Sequence, residues 1–133
     1  LDIAGSFVAT TANAIQFGDG TIFSASVPNN VELLTVNPSA FLFNQIKSAP
    51  ITNQSTAAIT GLKVPNGKSL LLVGGDINLQ SGILNAQGGY IELGGLAGSG
   101  NIALNTDTDF LKLSFPENAQ LANVSLTNGA AIN

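Results

Sequence analysis

The chain has 133 residues, enough for one domain with a substantial core that needs neither metal nor disulfide. Hydrophobic residues make up 44% and charged residues only 9%, so Asn, Ser, Thr, Gln and Gly must cover the surface, which favours a polar, uncharged, β-rich exterior. Eight carboxylates face four lysines, without arginine or histidine, and the net charge of −4 repels a phosphate backbone, so no nucleic acid is expected as a partner.

The lack of cysteine removes disulfides, thiolate metal sites and cysteine nucleophiles together, and suits a chain that crosses membranes unfolded. No apolar run approaches the ~18 residues of a spanning helix, and no stretch reads as a signal peptide. Leu1 already lies inside a strand-like pattern. We expect a single domain over residues 1–133, a piece of a longer polypeptide.

Helical periodicity is weak, whereas alternation and β-branched residues recur in short segments closed by Gly, Asn, Asp or Pro. In chain order the predicted strands are "IAGSFVATTA", "AIQFGD", "TIFSAS", "LLTVN", "AFLFNQI", "AAITGLKV", "SLLLVGG", "DINLQS", "GILNAQ", "YIELGG", "NIALNT", "FLKLSF" and "NVSLTN". "LLLVGG" starts at Leu70, "YIELGG" at Tyr90 and "FLKLSF" at Phe110, a self-similarity of about 20 residues that marks a solenoid. Within one such turn "LLLVGG", "DINLQS" and "ILNAQ" follow too closely for hairpins. The predicted fold is therefore all-β, a parallel β-helix (solenoid) of about 20 residues per rung, each strand pairing with the strand one turn later. A hairpin sandwich is the competing arrangement, with turns at "GDG" (Gly18–Gly20), "PNG" (Pro65–Gly67) and "TNG" (Thr127–Gly129).

Residues 27–68 hold four of the five prolines, Pro28, Pro38, Pro50 and Pro65, and the polar passage "ITNQSTAA". Proline cannot donate to a ladder, so an irregular extra-helical section of edge strands and turns is expected around residues 27–68.

Candidate chemistry is sparse. The lysines Lys47, Lys63, Lys68 and Lys112 adjoin no acidic cluster, and the only close carboxylate pair is Asp107 and Asp109 in "NTDTDF". Its Asn and Thr neighbours read as a solvated turn rather than a catalytic or calcium site. "GGLAGSG" (Gly94–Gly100) lacks the lysine and following helix of a phosphate loop and reads as a wide turn. Asn78, Asn85, Asn105, Asn123 and Asn128 fall at or near strand ends, a placement that serves either stacking along a solenoid axis or surface turns. Seven phenylalanines with one tyrosine and no tryptophan favour core filling over sugar stacking, with "FLF" (Phe41–Phe43) as a plug. No catalytic, metal or cofactor residue is assigned, and no cofactor is expected.

The blocks "LDIAGSFVATTANAIQFGDG", "LLTVNPSAFLFNQI", "LKVPNGKSLLLVGGDINL", "GGYIELGGLAGSGNIAL" and "LKLSFPENAQLANVSLTNGAAIN" resemble the filamentous haemagglutinin family. More narrowly they resemble the two-partner-secretion, or haemagglutination-activity, domain of cyanobacterial-type surface exoproteins. The resemblance implies a right-handed parallel β-helix, recognised in the periplasm by the POTRA domains of a dedicated outer-membrane transporter. It further implies threading through that barrel, nucleation of folding outside, and a secreted or cell-surface location in a Gram-negative-type bacterium. The parent exoprotein would act as an adhesin toward host or cell-surface glycans or proteins.

Of the family motifs Asn-Pro-Asn-Gly and Asn-Pro-Asn-Leu, the second is matched in its first half by Asn37 and Pro38, with Ser39 and Ala40 departing from it. The first would lie before Leu1, together with a cap. Asn37 and Pro38 are thus the expected transporter-recognition residues, and an uncapped first rung is an expected edge for end-to-end self-association. The expected function is a non-enzymatic secretion-targeting and adhesion module. The alternative is a carbohydrate-binding or carbohydrate-cleaving β-helix using Asp107, Asp109 or Glu92.

Overall fold

A computed structural model describes residues 3–25, 37–44, 48–56 and 59–133. The described residues form fourteen strands and no α-helix, arranged in four sheets. The fold is all-β, as the alternation predicts.

The middle of the chain sets the pattern. Strands β7 (Ser69–Gly74), β8 (Ile77–Gln80) and β9 (Ile83–Asn85) follow one another across the short corners Gly75-Asp76 and Ser81-Gly82. These corners turn the chain into a new sheet instead of folding it back on the same one. Each strand is the centre of its own three-stranded parallel sheet. β7 lies between β1 (Phe7–Thr10) and β10 (Tyr90–Gly95), and β8 between β5 (Ile51–Asn53) and β13 (Val124–Thr127). β9 lies between β6 (Leu62–Lys63) and β14 (Ala131–Ile132). The chain therefore visits the same three sheets, in the same order, in three passes.

Register places like residues in columns. Phe7, Leu70 and Ile91 align in the first sheet, Ile51, Ile77 and Val124 in the second, and Leu62, Leu84 and Ile132 in the third. Middle-pass members Leu70, Leu72, Ile77, Leu79 and Leu84 form one core with Val64 and Ala86. Taking each such large side chain out of water contributes about 1.5–3 kcal/mol.

The fourth sheet obeys a different rule. Strands β2 (Ala14–Phe17), β3 (Ile22–Ser24), β4 (Pro38–Phe43), β11 (Gly100–Asn105) and β12 (Lys112–Ser114) form one antiparallel sheet in the order β12-β11-β4-β2-β3. It contributes Phe41, Phe43, Ile102 and Leu104 to a second core, against Leu71 and Val73 of β7. Strand β7 is consequently buried on both faces, which is why "LLLV" is a continuous apolar run and not an alternation. The expected plug role of Phe41 and Phe43 is met here.

The antiparallel sheet is tied to the parallel part by side chains as well as by packing. The fully buried Ser69 accepts the Leu111 N–H at its Oγ, 3.0 Å away, and Glu92 Oε2 accepts the Leu113 N–H at 2.7 Å. Both bonds fasten the β12 segment to the parallel sheet of β7 and β10.

Several sequence expectations give way to the observed pairing. The spacing near 20 holds from β7 to β10, where Leu70 pairs with Ile91, but the third repeat at Phe110 does not stack on β10; β12 pairs antiparallel with β11. The reason lies at Leu96, which forms an antiparallel bridge with Leu121. With Ala97 N–H donating to Gln120 O and Ala122 N–H to Gly95 O, this bridge closes a neck that holds residues 97–120 as an excursion. Alternation announces a strand but carries no information on its partner.

The irregular section is likewise not confined to 27–68. β5 and β6, inside that range, belong to the parallel sheets, while β2, β3, β11 and β12, outside it, belong to the antiparallel one. Ile51–Asn53 is hidden in the polar passage because its strand is only three residues long, with Thr52 exposed between two half-buried neighbours. Of "AAITGLKV", Ala57 and Ala58 lie outside the described residues, and from Ile59 onward only Leu62–Lys63 is strand because Ile59 and Gly61 take positive φ. Of the candidate hairpins, "GDG" joins the antiparallel pair β2–β3, whereas "PNG" and "TNG" turn corners between different sheets. The predicted strand "LLTVN" up to Val36, Pro28 and Lys47 lie outside the described residues.

The last pass also exposes apolar side chains on its columns. Val124 (42% exposed), Leu126 (46%) and Ile132 (43%) are open to solvent, although their column neighbours Ile77, Leu79 and Leu84 are fully buried. On the first pass Ile3, Phe7, Ile51 and Leu62 pack against the core.

Candidate functional site

The sequence points to Asn37 and Pro38, and the fold puts them where two strands part. Strands β4 and β11 pair from Gly100–Phe43 to Ala103–Ala40. Beyond that point β4 continues toward Pro38 alongside β2, and β11 continues to Asn105 alongside β12. Pro38 pairs with Phe17 after a register shift between Gln16 and Phe17, a position compatible with a residue that has no N–H to donate.

The gap between the diverging strands is a cleft of about 460 Å³. Asn37, Pro38 and Ser39 line it from the β4 side, Asn105 and Asp107 from the end of β11 and the connection beyond it, and Gly18 from the β2–β3 turn. Asn37 O accepts the Gly18 N–H at 3.3 Å, and Ser39 Oγ donates to Gln16 O at 3.2 Å, so the β4 wall is fixed to β2. On the facing wall Asp107 N–H donates to Asn105 Oδ1 at 2.8 Å and Thr108 Oγ1 donates to Phe110 O at 2.6 Å. These local bonds fix the turn that follows β11.

Asp19 stands next to Gly18 at the tip of the β2–β3 hairpin. Its Oδ1 accepts the Thr21 N–H at 2.9 Å, and this bond holds the carboxyl below the ordinary 3.8. The other carboxylates weighed from the sequence are dispersed: Asp109 is exposed in the β11–β12 connection, and Glu92 is engaged with Leu113. The asparagines serve different ends. Asn78 Oδ1 accepts from Ser125 Oγ on the next pass, Asn105 caps the Asp107 turn, and Asn128 adopts positive φ in a corner. No group of three or more His, Cys, Asp or Glu positioned for a metal occurs among the described residues.

Asp107 is thus brought to Asn37 and Pro38 across the sheet, and Ser114 and Gly18 join them in the same lining. No signal in the sequence links these positions, because their proximity depends on two excursions sharing one sheet.

The family model for the TPS secretion domain matches residues 1–133. The chain belongs to this family. TPS domains are non-enzymatic targeting modules of two-partner-secretion exoproteins, recognised by outer-membrane transporters that carry the exoprotein to the cell exterior. No curated protein and no solved structure matches the chain. The cleft beside Pro38 is therefore a feature of a TPS domain, a module whose partner is an outer-membrane transporter.

Proposed function

We propose that this TPS domain is read by the POTRA domains of its transporter at the Asn37–Pro38 cleft, and that it then nucleates folding outside the cell as a right-handed parallel β-helix. The threefold passage through three parallel sheets supports the solenoid reading, with each pass as one rung, and parallel crossovers in one sheet are nearly always right-handed. Low charge, no cysteine and pass-on-pass pairing suit a chain that crosses a pore unfolded and folds by adding rungs. On this reading the domain is the front piece of a longer adhesin, folds as one unit, and needs no catalytic group. The carbohydrate-active alternative loses support because Glu92 is committed to Leu113 and lies in a different sheet from the strands that flank the exposed Asp107 and Asp109.

The observation that carries the proposal is the convergence of Asn37 and Pro38 on a cleft where the sheet splits. Asn37→Ala should weaken binding of purified POTRA domains by about tenfold, the scale of removing one hydrogen bond from a buried interface. Unchanged affinity in a normally folded variant would count against the site.

A further inference from the structure

The cleft has two walls, and only one of them is made by the Asn-Pro pair. Among the described residues that line it, Asp107 is the single ionisable one. None of the described lysines lines it: Lys63 is in β6, Lys68 precedes β7, and Lys112, although paired with Asn105 across β11 and β12, has its Nζ 5.7 Å from the centre of the Tyr90 ring. The Asp107 turn is held through its backbone N–H and through Thr108, and neither bond uses the carboxylate. An exposed carboxylate on a fixed turn, with no described lysine in its cleft, complements a cation.

We infer that, given transporter recognition at this cleft, the entering transporter segment brings a lysine or arginine side chain to the Asp107 carboxylate, making the β11–β12 connection a second recognition element opposite Asn37 and Pro38. The occupant is thereby a basic peptide segment of the transporter's periplasmic domains. A charge pair at such a rim governs encounter and salt dependence more than residence time.

The test is titration of the wild-type chain, Asp107→Asn, Asp107→Glu and Asn37→Ala against the purified POTRA domains of the cognate transporter over a series of NaCl concentrations. Asp107→Asn should weaken binding about three- to tenfold at low salt, with the difference vanishing near ~0.5 M, where the screening length is a few ångströms. Asp107→Glu should restore most of the affinity. Asn37→Ala should bind more weakly at every salt concentration. If Asn37→Ala loses affinity while Asp107→Asn matches wild type throughout, the cationic partner is wrong and the cleft reading stands. A deficit in Asp107→Asn that is the same at all salt concentrations also overturns the cationic partner. If neither variant changes binding, both readings fail. Urea midpoints equal to wild type for all variants establish that folding is not the cause.

Discussion

The three parallel sheets and the five-stranded antiparallel sheet are built from similar residues but hold together differently. In the parallel part each strand pairs with chain one pass away, so backbones approach closely and columns of like residues repeat. In the antiparallel part strands come from two excursions, residues before β5 and residues after β10, that meet over the outer face of β7. At Gly75, Gly82, Gly89 and Gly95 the first arrangement leaves no room for an added atom. The second leaves a cleft at its open end, where β4 and β11 diverge. Tight stacking and an accessible cleft are thus assigned to different parts of the chain.

That contrast is broken most severely at the corner of the parallel part. A Cβ added to Gly95 would fall on the carbonyl oxygen of Gly74 in the pass beneath, and backbone cannot yield as a side-chain tip can. Gly95→Ala should cost about 3 kcal/mol or more, at the upper end of overpacking effects, seen as a lowered urea midpoint. Gly20, in the antiparallel hairpin, has φ +86° and open space around it. Its replacement by alanine meets only the strain of that conformation, about 1–2 kcal/mol. Equal losses at the two positions would contradict the difference in packing.

The joint between the two parts gives the next effect. Glu92→Ala leaves the Leu113 N–H without its acceptor and should cost about 1–2 kcal/mol, with faster amide exchange at Leu113. Exchange in β8 should change less, because that strand lies in a different sheet. Uniform acceleration across both regions would show that the antiparallel sheet does not open separately.

The smallest effect belongs to the hairpin tip. The folded-state carboxyl of Asp19 lies below 3.8 because the ionised form accepts the Thr21 N–H. Its contribution is present above that value and is lost as pH falls through the lowered folded value. An acid titration followed by the Thr21 amide resonance should report this loss, and Asp19→Asn should abolish the inflection while keeping an acceptor oxygen. An inflection persisting in Asp19→Asn would assign it to another carboxylate.

Much of the strand content was legible because alternation reports which residues can share a face. Phe41 and Phe43 were readable as core, and Leu70 to Gly95 as successive short strands with glycine corners. Partner choice was less legible. "FLKLSF" and "YIELGG" have comparable patterns, yet β12 joins an antiparallel sheet and β10 a parallel one, since the neck at Leu96 and Leu121 diverts the chain between them. Half of the candidate site shared this fate: Asn37 and Pro38 stood out by resemblance, but Asp107 and Ser114 reach them only through the fold.

By itself the sequence determined a sparsely charged β-chain without cysteine, the family to which it belongs, and the near-20-residue step from β7 to β10, all of which follow from composition and local order. Tertiary structure alone decided that two excursions meet as one sheet over β7, that Glu92 and Ser69 fasten it, and that a cleft opens beside Pro38. The physical reason is that alternation fixes the face a side chain takes, while pairing is a competition among all strands with compatible faces, settled by the corners and necks that bring particular edges together.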